Sequence, residues 1–465
     1  MTAASAPGAP GATAAASSPG APAATLARFA ALSCAYFAAM GVFAPYAPLW
    51  FQSLGMSTLA IGAISSLQSW TRVFTPYAWG WLGDHSGRRV ELLRIAAAGA
   101  FVSALALLGV RVAVPVAVVT VLLFLANGGV VPLYEATLAH LLATRSDSGG
   151  GGIDPGRYGR VRVWGSIGFI ASVIACGALL QWLTIAAFPW FVALLNGTLL
   201  VAAWRLPAQR DEWHDDVVPP PPVLKRLRQP VVAWFFASVF FTVLAHTAMY
   251  AFLSLYLVEL GYSKAVIGAL WAVATGAEIV FFWQQGRWFR RFASERWLQV
   301  AAGTTALRFA AVAALATWPP VLVLAQLAHA LTFAAHHAAC IDLVQRHFPG
   351  RLRGRGQALY TILGYGISGV VGGVGGGWLI ERAGYAAAFW AATVAALVGL
   401  LAGWQAQRHA AGPARSSAQP LAAVPAGALP EATPDGAGGV SSPRASPIPH
   451  VQMVSTKVEA GENAR

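Results

Sequence analysis

The feature that most constrains this chain is a series of twelve apolar stretches, each close to the length that crosses a lipid bilayer as a helix. Hydrophobic residues make up 57% of the chain and charged residues only 11%, well below the charged fraction of a soluble protein. The apolar residues run continuously instead of alternating, which favours helices over the strands of a membrane barrel. The predicted fold class is therefore an all-α membrane protein with twelve transmembrane helices.

The predicted helices form two groups of six that flank a polar, proline-rich link. They span residues 27–50, 58–82, 91–110, 114–143, 158–181, 186–205, 229–258, 264–285, 296–316, 320–343, 355–380 and 385–406. We predict an N-terminal six-helix bundle at 27–205, a cytoplasmic linker at 206–228 and a C-terminal six-helix bundle at 229–406. Segments rich in alanine, proline and glycine at 1–26 and 407–465 have no apolar run of spanning length, and we expect both to be disordered.

An internal repeat relates the two groups of helices. The stretch YAPLWFQSLGMSTLAIGAI begins at Tyr46 and FLSLYLVELGYSKAVIGAL begins at Phe252, a shift of 252 − 46 = 206 residues, and seven positions are identical. The same shift places Arg72 opposite Glu278. The repeat predicts two pseudo-symmetric six-helix bundles in the same orientation, with a substrate site between them near the midplane of the membrane.

Charge placement gives the orientation of the helices. The chain has 31 lysine and arginine residues against 18 acidic ones, a formal net charge of +13, and the arginines cluster in alternate short loops. This pattern follows the positive-inside rule, which places both termini and the central link in the cytoplasm. Because the basic residues do not form one continuous run, we expect no nucleic acid partner.

Few residues suggest chemistry beyond binding. Cys34, Cys176 and Cys340 each lie inside an apolar stretch, with no spacing typical of a disulfide framework or a metal site. No pair of nucleophile and base emerges from the sequence either. We therefore predict a protein that is not an enzyme, with no catalytic residue, no cofactor and no metal, and we expect a monomer.

A short charged turn joins the second and third predicted helices and reads GWLGDHSGRR at residues 80–89. This turn resembles the G-x-L-x-D-x-x-G-R-R/K signature of the major facilitator superfamily, whose members have two six-helix bundles and work by alternating access. The resemblance implies a cytoplasmic gate formed by Asp84, Arg88 and Arg89. The corresponding turn of the second half, at 286–290, has no acid opposite Asp84, so such a gate would be asymmetric.

Further blocks resemble a narrower group within this superfamily. The stretch YGRVRVWGSIGF (158–169) resembles the start of the fifth helix in the lactose permease group and its phenylpropionate permease relatives. LAHALTF (327–333) and RGRGQALY (353–360) resemble the phenylpropionate permease branch. The branch is similar to proton symporters that import small organic solutes. The resemblance implies a multi-pass protein of the bacterial inner (plasma) membrane with the same class of activity.

Ionisable residues inside the predicted helices are candidates for the substrate site, because a charge at the centre of a bilayer costs about 2.5–3.5 kcal/mol. Arg72, Glu135, Arg162 and Glu278 are the substrate-binding candidates. A cavity-facing arginine would hold an anion as a planar, bidentate donor. Glu135 and Arg162 resemble the sugar-binding pair of the lactose permease group, so we expect a direct ion pair between them. The alternative for each residue is an ion pair that only holds helices together.

A second set of residues is predicted to couple transport to protons: Glu135, Glu278, Arg308, His329 and His336. A histidine inside the membrane can titrate near neutral pH and, with a carboxylate, relay a proton. His329 and His336 are seven residues apart and should therefore share one helix face. The alternative for each histidine is a neutral ring that hydrogen-bonds two helices. The lactose permease group also has an arginine tied to proton coupling in the helix of Arg308.

The sequence as a whole predicts a secondary active transporter that takes up a small organic solute together with protons. The favoured substrate class is an aromatic or other monocarboxylate, such as a phenylpropionate-like acid. A sugar or nucleoside symporter is the first alternative, followed by a drug efflux carrier and by a non-transporting receptor on the same scaffold. The expected partners are the substrate, protons and the lipid bilayer.

Overall fold

The structure is a computed structural model that describes residues 22–144, 152–153, 155–207 and 224–411. The segments predicted to be disordered and the central linker therefore lie mostly outside the described residues. At both ends of the described region, the first and the last helix are slightly longer than predicted. The first helix begins at Ala23 and the last helix continues to Ala411.

The helices follow one another along the chain with short connections. The N-terminal half contains α1 (Ala23–Ser53), α2 (Thr58–Ser86), α3 (Arg89–Ala106), α4 (Ala113–Asn127), α5 (Val130–Leu141), the strands β1 (Ala143–Thr144) and β2 (Gly152–Ile153), α6 (Pro155–Leu183), a 3₁₀ turn (Ile185–Ala187) and α7 (Phe188–Trp204). The C-terminal half contains α8 (Leu224–Leu227), α9 (Pro230–Glu259), α10 (Lys264–Trp283), α11 (Gln285–Trp288), α12 (Ser294–Leu315), α13 (Pro319–Leu327), a π-helical segment (Ala330–Ala335), α14 (His336–His347), a 3₁₀ turn (Gly350–Leu352), α15 (Arg353–Leu359), a second π-helical segment (Tyr360–Ile367) and α16 (Ser368–Ala411). The hydropathy pattern does not predict the short antiparallel pair β1–β2.

These helices are consistent with the twelve predicted membrane spans. Among the described residues, nine helical stretches are long and apolar enough to cross a membrane by length and composition. One of them, Arg353–Ala410, contains Gly384 in a non-helical conformation (φ 79°, ψ 171°) and therefore makes two spans. The more polar α2 and α3 are the remaining two of the predicted twelve. The predicted all-α membrane fold is confirmed.

The repeat seen in the sequence produces the same local geometry in both halves. Gly55 and Gly261 both adopt positive φ angles, 79° and 85°, which glycine tolerates best. Ser57 and Ser263 then cap the next helix, and each hydroxyl accepts a hydrogen bond of 3.2 Å from the backbone amide three residues on. Equivalent residues thus start α2 and α10 in the same way.

The hydrophobic core shows where the two halves meet. One core cluster is shared between the halves and joins Tyr46 and Trp50 to Phe252 and Phe389. At the opposite end each half has a core cluster of its own. We call the end with the shared core, where α2 and α10 begin, the closed end, and the end with the 80–89 turn the open end. The space between the halves therefore widens toward the open end.

Glycines on α16 allow it to lie directly against α2. A Cβ atom added at Gly373 would collide with the carbonyl oxygen of Gly62, and one added at Gly377 would collide with that of Thr58. Gly375, on another side of α16, has open space around it. The lack of side chains at Gly373 and Gly377 therefore allows the two helices to approach closely.

Candidate substrate and proton site

The C-terminal half contains a hydrogen-bonded chain of three ionisable side chains. Oε1 of Glu278 on α10 lies 2.9 Å from Nε2 of His329, and Nδ1 of His329 lies 2.9 Å from Nη1 of Arg308 on α12. The side chain of Glu278 is 20% exposed, whereas that of His329 is 3% exposed and Arg308 is 4% exposed. The chain therefore runs from a partly exposed carboxylate into the interior of the half.

The protonation state of His329 follows from its two partners. Arginine only donates hydrogen bonds, so Nδ1 of His329 accepts from Arg308 and the ring proton is on Nε2. Nε2–H then donates to the carboxylate of Glu278. The ring is thus neutral in this arrangement, because an imidazolium would place a second N–H against Arg308. The charges of Glu278 and Arg308 balance each other through the ring and not by direct contact.

The other partners of Arg308 are neutral. Nη1 also donates to the hydroxyl of Thr332 at 3.0 Å, and Nη2 donates to Oε1 of Gln326 at 2.9 Å and contacts Sδ of Met249 at 3.0 Å. In the described part of the chain no carboxylate forms an ion pair with this arginine. Because burying an uncompensated charge is costly, the interaction with Glu278 through the histidine is essential to the arrangement.

A π-helical segment, Ala330–Ala335, changes the register of the helix that follows His329. A π-helical turn includes one residue more than an α-helical turn. The ring of His329 stacks on Phe333 with centroids 5.2 Å apart, and Phe333 stacks on His337 at 6.2 Å. The prediction that His336 shares the face of His329 is therefore wrong, because the extra residue brings His337 into that position.

His336 lies beside a different group. Its Nε2 is 3.6 Å from Sγ of Cys340, and the residue is 3% exposed. It makes no hydrogen bond to Glu278 or Arg308 within the described residues. The role in proton coupling predicted for His336 has no such contact to support it and stays a prediction.

His337 joins the first π-helical segment to the second. Its Nδ1 lies 3.0 Å from the hydroxyl oxygen of Tyr360, which lies 3.1 Å from that of Tyr365. Both tyrosines belong to the π-helical segment Tyr360–Ile367. Such segments occur frequently at functional sites, and here two of them meet beside Glu278, which also interacts electrostatically with His337.

Glu135 and Arg162 lie near each other in the N-terminal half without forming a direct ion pair. Oε1 of Glu135 accepts a hydrogen bond of 3.5 Å from the hydroxyl of Tyr158. The guanidinium of Arg162 lies over the ring of Phe37, 4.3 Å from its centroid. The two charges interact electrostatically, but no nitrogen and oxygen of the pair approach within 4.0 Å. The predicted direct pair is not formed in this conformation, because Arg162 stacks on an aromatic ring.

A break between α4 and α5 orients the helix that carries Glu135. The sequence predicts one helix here, but the structure has two. The indole of Trp79 packs against Gly129 in the break, and its Nε1–H donates to the carbonyl oxygen of Leu125 at 2.9 Å. A Cβ atom at Gly129 would collide with this indole. The carbonyl group that the break leaves without a helical partner is thereby hydrogen-bonded.

Three tyrosines lie where the charged residues of the two halves converge. Tyr36 interacts electrostatically with Arg72, Arg162 and Glu135; Tyr250 with Glu278, Arg308 and Arg72; and Tyr365 with Arg72 and Glu278. Arg72 and Glu278, equivalent in the repeat, thus lie near the same tyrosines, one from each half. Arg72 is exposed and forms no ion pair among the described residues. Sequence reasoning missed these tyrosines because hydropathy does not distinguish a tyrosine facing a cavity from one facing lipid.

The predicted gate residues lie at the open end and pair within their own half. Nη2 of Arg89 is 2.8 Å from Oδ1 of Asp84, and Nη1 of Arg88 is 3.5 Å from Oε2 of Glu91. The side chain of Asp84 is 64% exposed. Both of these ion pairs lie within the N-terminal half, and the gate role of these residues stays a prediction.

These features are those of a multi-pass membrane transporter with two pseudo-symmetric halves, whose charged residues lie near shared tyrosines. The chain matches the model of the MFS_1-like family over residues 27–391, and it belongs to this family of the major facilitator superfamily. It is therefore a secondary transporter by fold and by family. The superfamily assignment made from the 80–89 turn is confirmed.

Curated relatives and solved structures agree with this assignment. The chain is 26% identical over 371 residues to a protein described as "Probable 3-phenylpropionic acid transporter" from Escherichia coli (strain K12), covering 78% of this chain and 93% of the relative. It is 28% identical over 382 residues to the maltose permease of Geobacillus stearothermophilus, covering 78% and 90%. A mutant of the nucleoside transporter NupG has a TM-score of 0.68 at 15% identity, covering 83% of this chain and 99% of that one, which shows the common fold.

Proposed function

We propose that this transporter takes up a small organic anion together with protons, with an aromatic or other monocarboxylate as the substrate class. The observation that carries the proposal is the chain Glu278–His329–Arg308, together with the position of Arg72, which interacts with the same two tyrosines, Tyr250 and Tyr365, as Glu278 does. A titratable acid and an arginine without an ion pair among the described residues thus lie in the same part of the molecule.

The charge balance explains how a proton and an anion would favour each other's binding. Protonation of Glu278 removes the negative charge that balances the buried Arg308, which leaves Arg72, Arg162 and Arg308 with too little negative charge near them. A substrate carboxylate restores the balance as a bidentate partner of an arginine. Because coupling between two ligands is reciprocal, the bound anion in turn favours the protonated state of Glu278.

Aromatic side chains support the choice of an aromatic substrate. Tyr36, Phe37, Tyr250, Phe333 and Tyr365 lie among the charged residues of the site and are partly exposed. Aromatic rings attract one another in offset or edge-to-face geometry, which would hold the ring of a substrate beside its carboxylate. The similarity to the protein described as a phenylpropionic acid transporter is consistent with this arrangement.

Sugar or nucleoside symport is the second candidate function. The maltose permease is as similar to this chain as the first relative. Glu135 and Tyr158 also offer hydrogen-bond acceptors and donors that would suit the hydroxyl groups of a sugar. In that case Glu135, with Arg162 beside it, would bind substrate, and Glu278 would carry the proton.

We further propose that the protein is a monomer in a bacterial inner membrane, with both termini in the cytoplasm. The arginine-rich turns lie at the open end, so the positive-inside rule assigns that end to the cytoplasm. The conformation described here is then open to the inside. Asp84, Arg88 and Arg89 would form contacts between the halves when the protein opens to the outside.

The substrate class and the coupling can be tested together on purified protein in liposomes. A thermal-shift screen of carboxylates, sugars and nucleosides, followed by counterflow of the hits, should select carboxylates. Uptake of a hit should rise with an inward proton gradient and collapse with an uncoupler. The double variant Arg72→Gln, Arg162→Gln should bind the carboxylate about ten- to hundred-fold more weakly, because it loses charge-assisted hydrogen bonds.

Two results would contradict this proposal. Uptake that an uncoupler leaves unchanged would exclude coupling to protons. Unchanged carboxylate affinity in the double arginine variant would exclude the proposed anion site. Arg94→Gln, which removes an arginine bonded to the carbonyl oxygen of Leu206 away from the cavity, serves as the matched control.

A further inference from the structure

Two of the hydrogen bonds that join the halves at the closed end cap the first turn of a helix. The backbone N–H of Leu59 on α2 donates to Oε1 of Glu381 on α16 at 2.9 Å. The backbone N–H of Lys264 on α10 donates to Oε1 of Gln181 on α6 at 3.0 Å. The first bond caps a helix of the N-terminal half from the C-terminal half, and the second bond does the reverse.

The two capped helices begin at equivalent positions of the repeat. The first amides of any helix have no partner inside the helix. Ser57 and Ser263 each bind one of these amides within their own half. Glu381 and Gln181 each bind another from the opposite half. Each half thus completes the helix start of the other, at backbone amides that lie one position apart in the repeat.

Partly buried contacts between the halves accompany the two caps, but the caps themselves are exposed. Thr58 donates to the carbonyl oxygen of Gly377 at 3.2 Å, and the hydroxyl of Tyr46 donates to the carbonyl oxygen of Lys264 at 3.4 Å. Glu381 and Gln181 lie outside these contacts, at the exposed rim of the closed end. Water can therefore replace both cap bonds when the halves separate, which makes them reversible.

We propose that Glu381 and Gln181 are gate residues of the transport cycle, which hold the closed end shut by capping a helix of the opposite half. Both caps have to be released before that end opens. The inference rests on alternating access, as the proposed function does, but not on the identity of the substrate or on proton coupling. The cap by Glu381 is the stronger of the two, because a carboxylate interacts favourably with a helix N-terminus and forms charge-assisted bonds.

Distances between spin labels test this proposal directly on the full chain in lipid nanodiscs. Labels at Val112 and Trp318, exposed loop positions of the closed end in opposite halves, report on its opening. The three native cysteines are replaced by alanine. Glu381→Ala should lower the ratio of closed to open molecules about tenfold and Gln181→Ala about threefold, because each loses one hydrogen bond between the halves. The two effects should multiply in the double variant.

Matched variants separate the gate role from a general loss of structure. Glu381→Gln keeps an acceptor for Leu59 and should shift the ratio less than Glu381→Ala. Gln52→Ala removes an exposed glutamine of the same end and should leave the distances unchanged. The proposal is overturned if the double variant keeps the wild-type distances, or if Gln52→Ala shifts them as much as Gln181→Ala. No substrate or pH gradient is present, so an error in the proposed coupling leaves this result unaffected.

Discussion

At the scale of single residues, the site places a neutral histidine between two opposite charges. A direct ion pair between Glu278 and Arg308 would bury both charges together. With His329 between them, the acid stays partly exposed while the arginine keeps its bonds to Thr332 and Gln326. A proton can therefore reach the acid without breaking any bond of the buried arginine.

This arrangement predicts the behaviour of Glu278→Gln. The amide oxygen of glutamine still accepts from Nε2–H of His329, so the variant resembles the protonated carrier. We expect counterflow of substrate to persist, while accumulation driven by a pH gradient falls at least about tenfold, since the proton site is lost. Transport by reconstituted protein with and without a gradient measures both quantities.

Glu135→Gln is the comparison that tells the two candidate acids apart. Transport by Glu135→Gln should stay coupled to the proton gradient, whether or not the substitution weakens substrate binding. If Glu135→Gln abolishes accumulation and Glu278→Gln does not, the assignment of the proton to Glu278 is wrong and Glu135 takes that role.

The sequence locates the charged residues of the site better than their partners. Arg72, Glu278 and Arg308 can be recognised in the sequence because a charge inside an apolar helix is costly and therefore rare, and it usually serves a function. Their neighbours are not recognisable in this way. The stacking of Arg162 on Phe37 replaces the expected pair with Glu135, and nothing in the local sequence distinguishes Phe37 from a lipid-facing ring.

At the scale of helices, hydropathy predicts the spans well because the bilayer fixes their length and composition. It does not predict the two π-helical segments, because a change of hydrogen-bond register leaves the composition unchanged. The sequence therefore places His336 beside His329, where the structure has His337. The break beside Gly129 is hidden for a related reason, since glycines such as Gly372 and Gly376 also lie inside a continuous helical stretch of α16.

The packing of α16 on α2 gives a prediction with a matched control. Gly373→Ala should lower the midpoint of thermal unfolding by several degrees, because its Cβ would collide with the carbonyl oxygen of Gly62, and such overpacking typically costs about 1–3 kcal/mol. Gly375→Ala, two residues on, has open space and should leave the midpoint unchanged or raise it slightly. Equal effects of the two substitutions would show that close helix contact is not what Gly373 provides.

At the scale of the whole molecule, the halves share one core at the closed end and keep separate cores at the open end. Alternating access requires a second state in which this pattern is reversed. The two states have to lie within a few kcal/mol of each other for a proton and a substrate to convert one into the other. Exposed, exchangeable bonds at the rim fit this requirement better than a larger buried interface would.

The orientation of the molecule can be measured with single cysteines in a chain that lacks its native ones. Val112→Cys, at the closed end, should react with a membrane-impermeant maleimide on intact cells. Arg290→Cys, an exposed position at the open end, should react only after the membrane is permeabilised, because the positive-inside rule assigns that end to the cytoplasm. The reverse pattern would show that the molecule is inserted the other way and is open to the outside here.

Gly384 is the whole connection between the last two spans, and this brevity limits how they can move. Because a single residue joins the two spans, the eleventh span can hardly slide along the twelfth. Its motion relative to the twelfth span is a rotation about Gly384, which acts as a hinge. The segment from Tyr360 to Gly384 is about 36 Å long at 1.5 Å per residue, so a tilt of about 10° at the hinge moves its far end by about 6 Å. The π-helical segment with Tyr360 and Tyr365 lies far from this hinge, so a small rotation at Gly384 becomes a large displacement of Tyr365, which interacts electrostatically with Arg72 and Glu278.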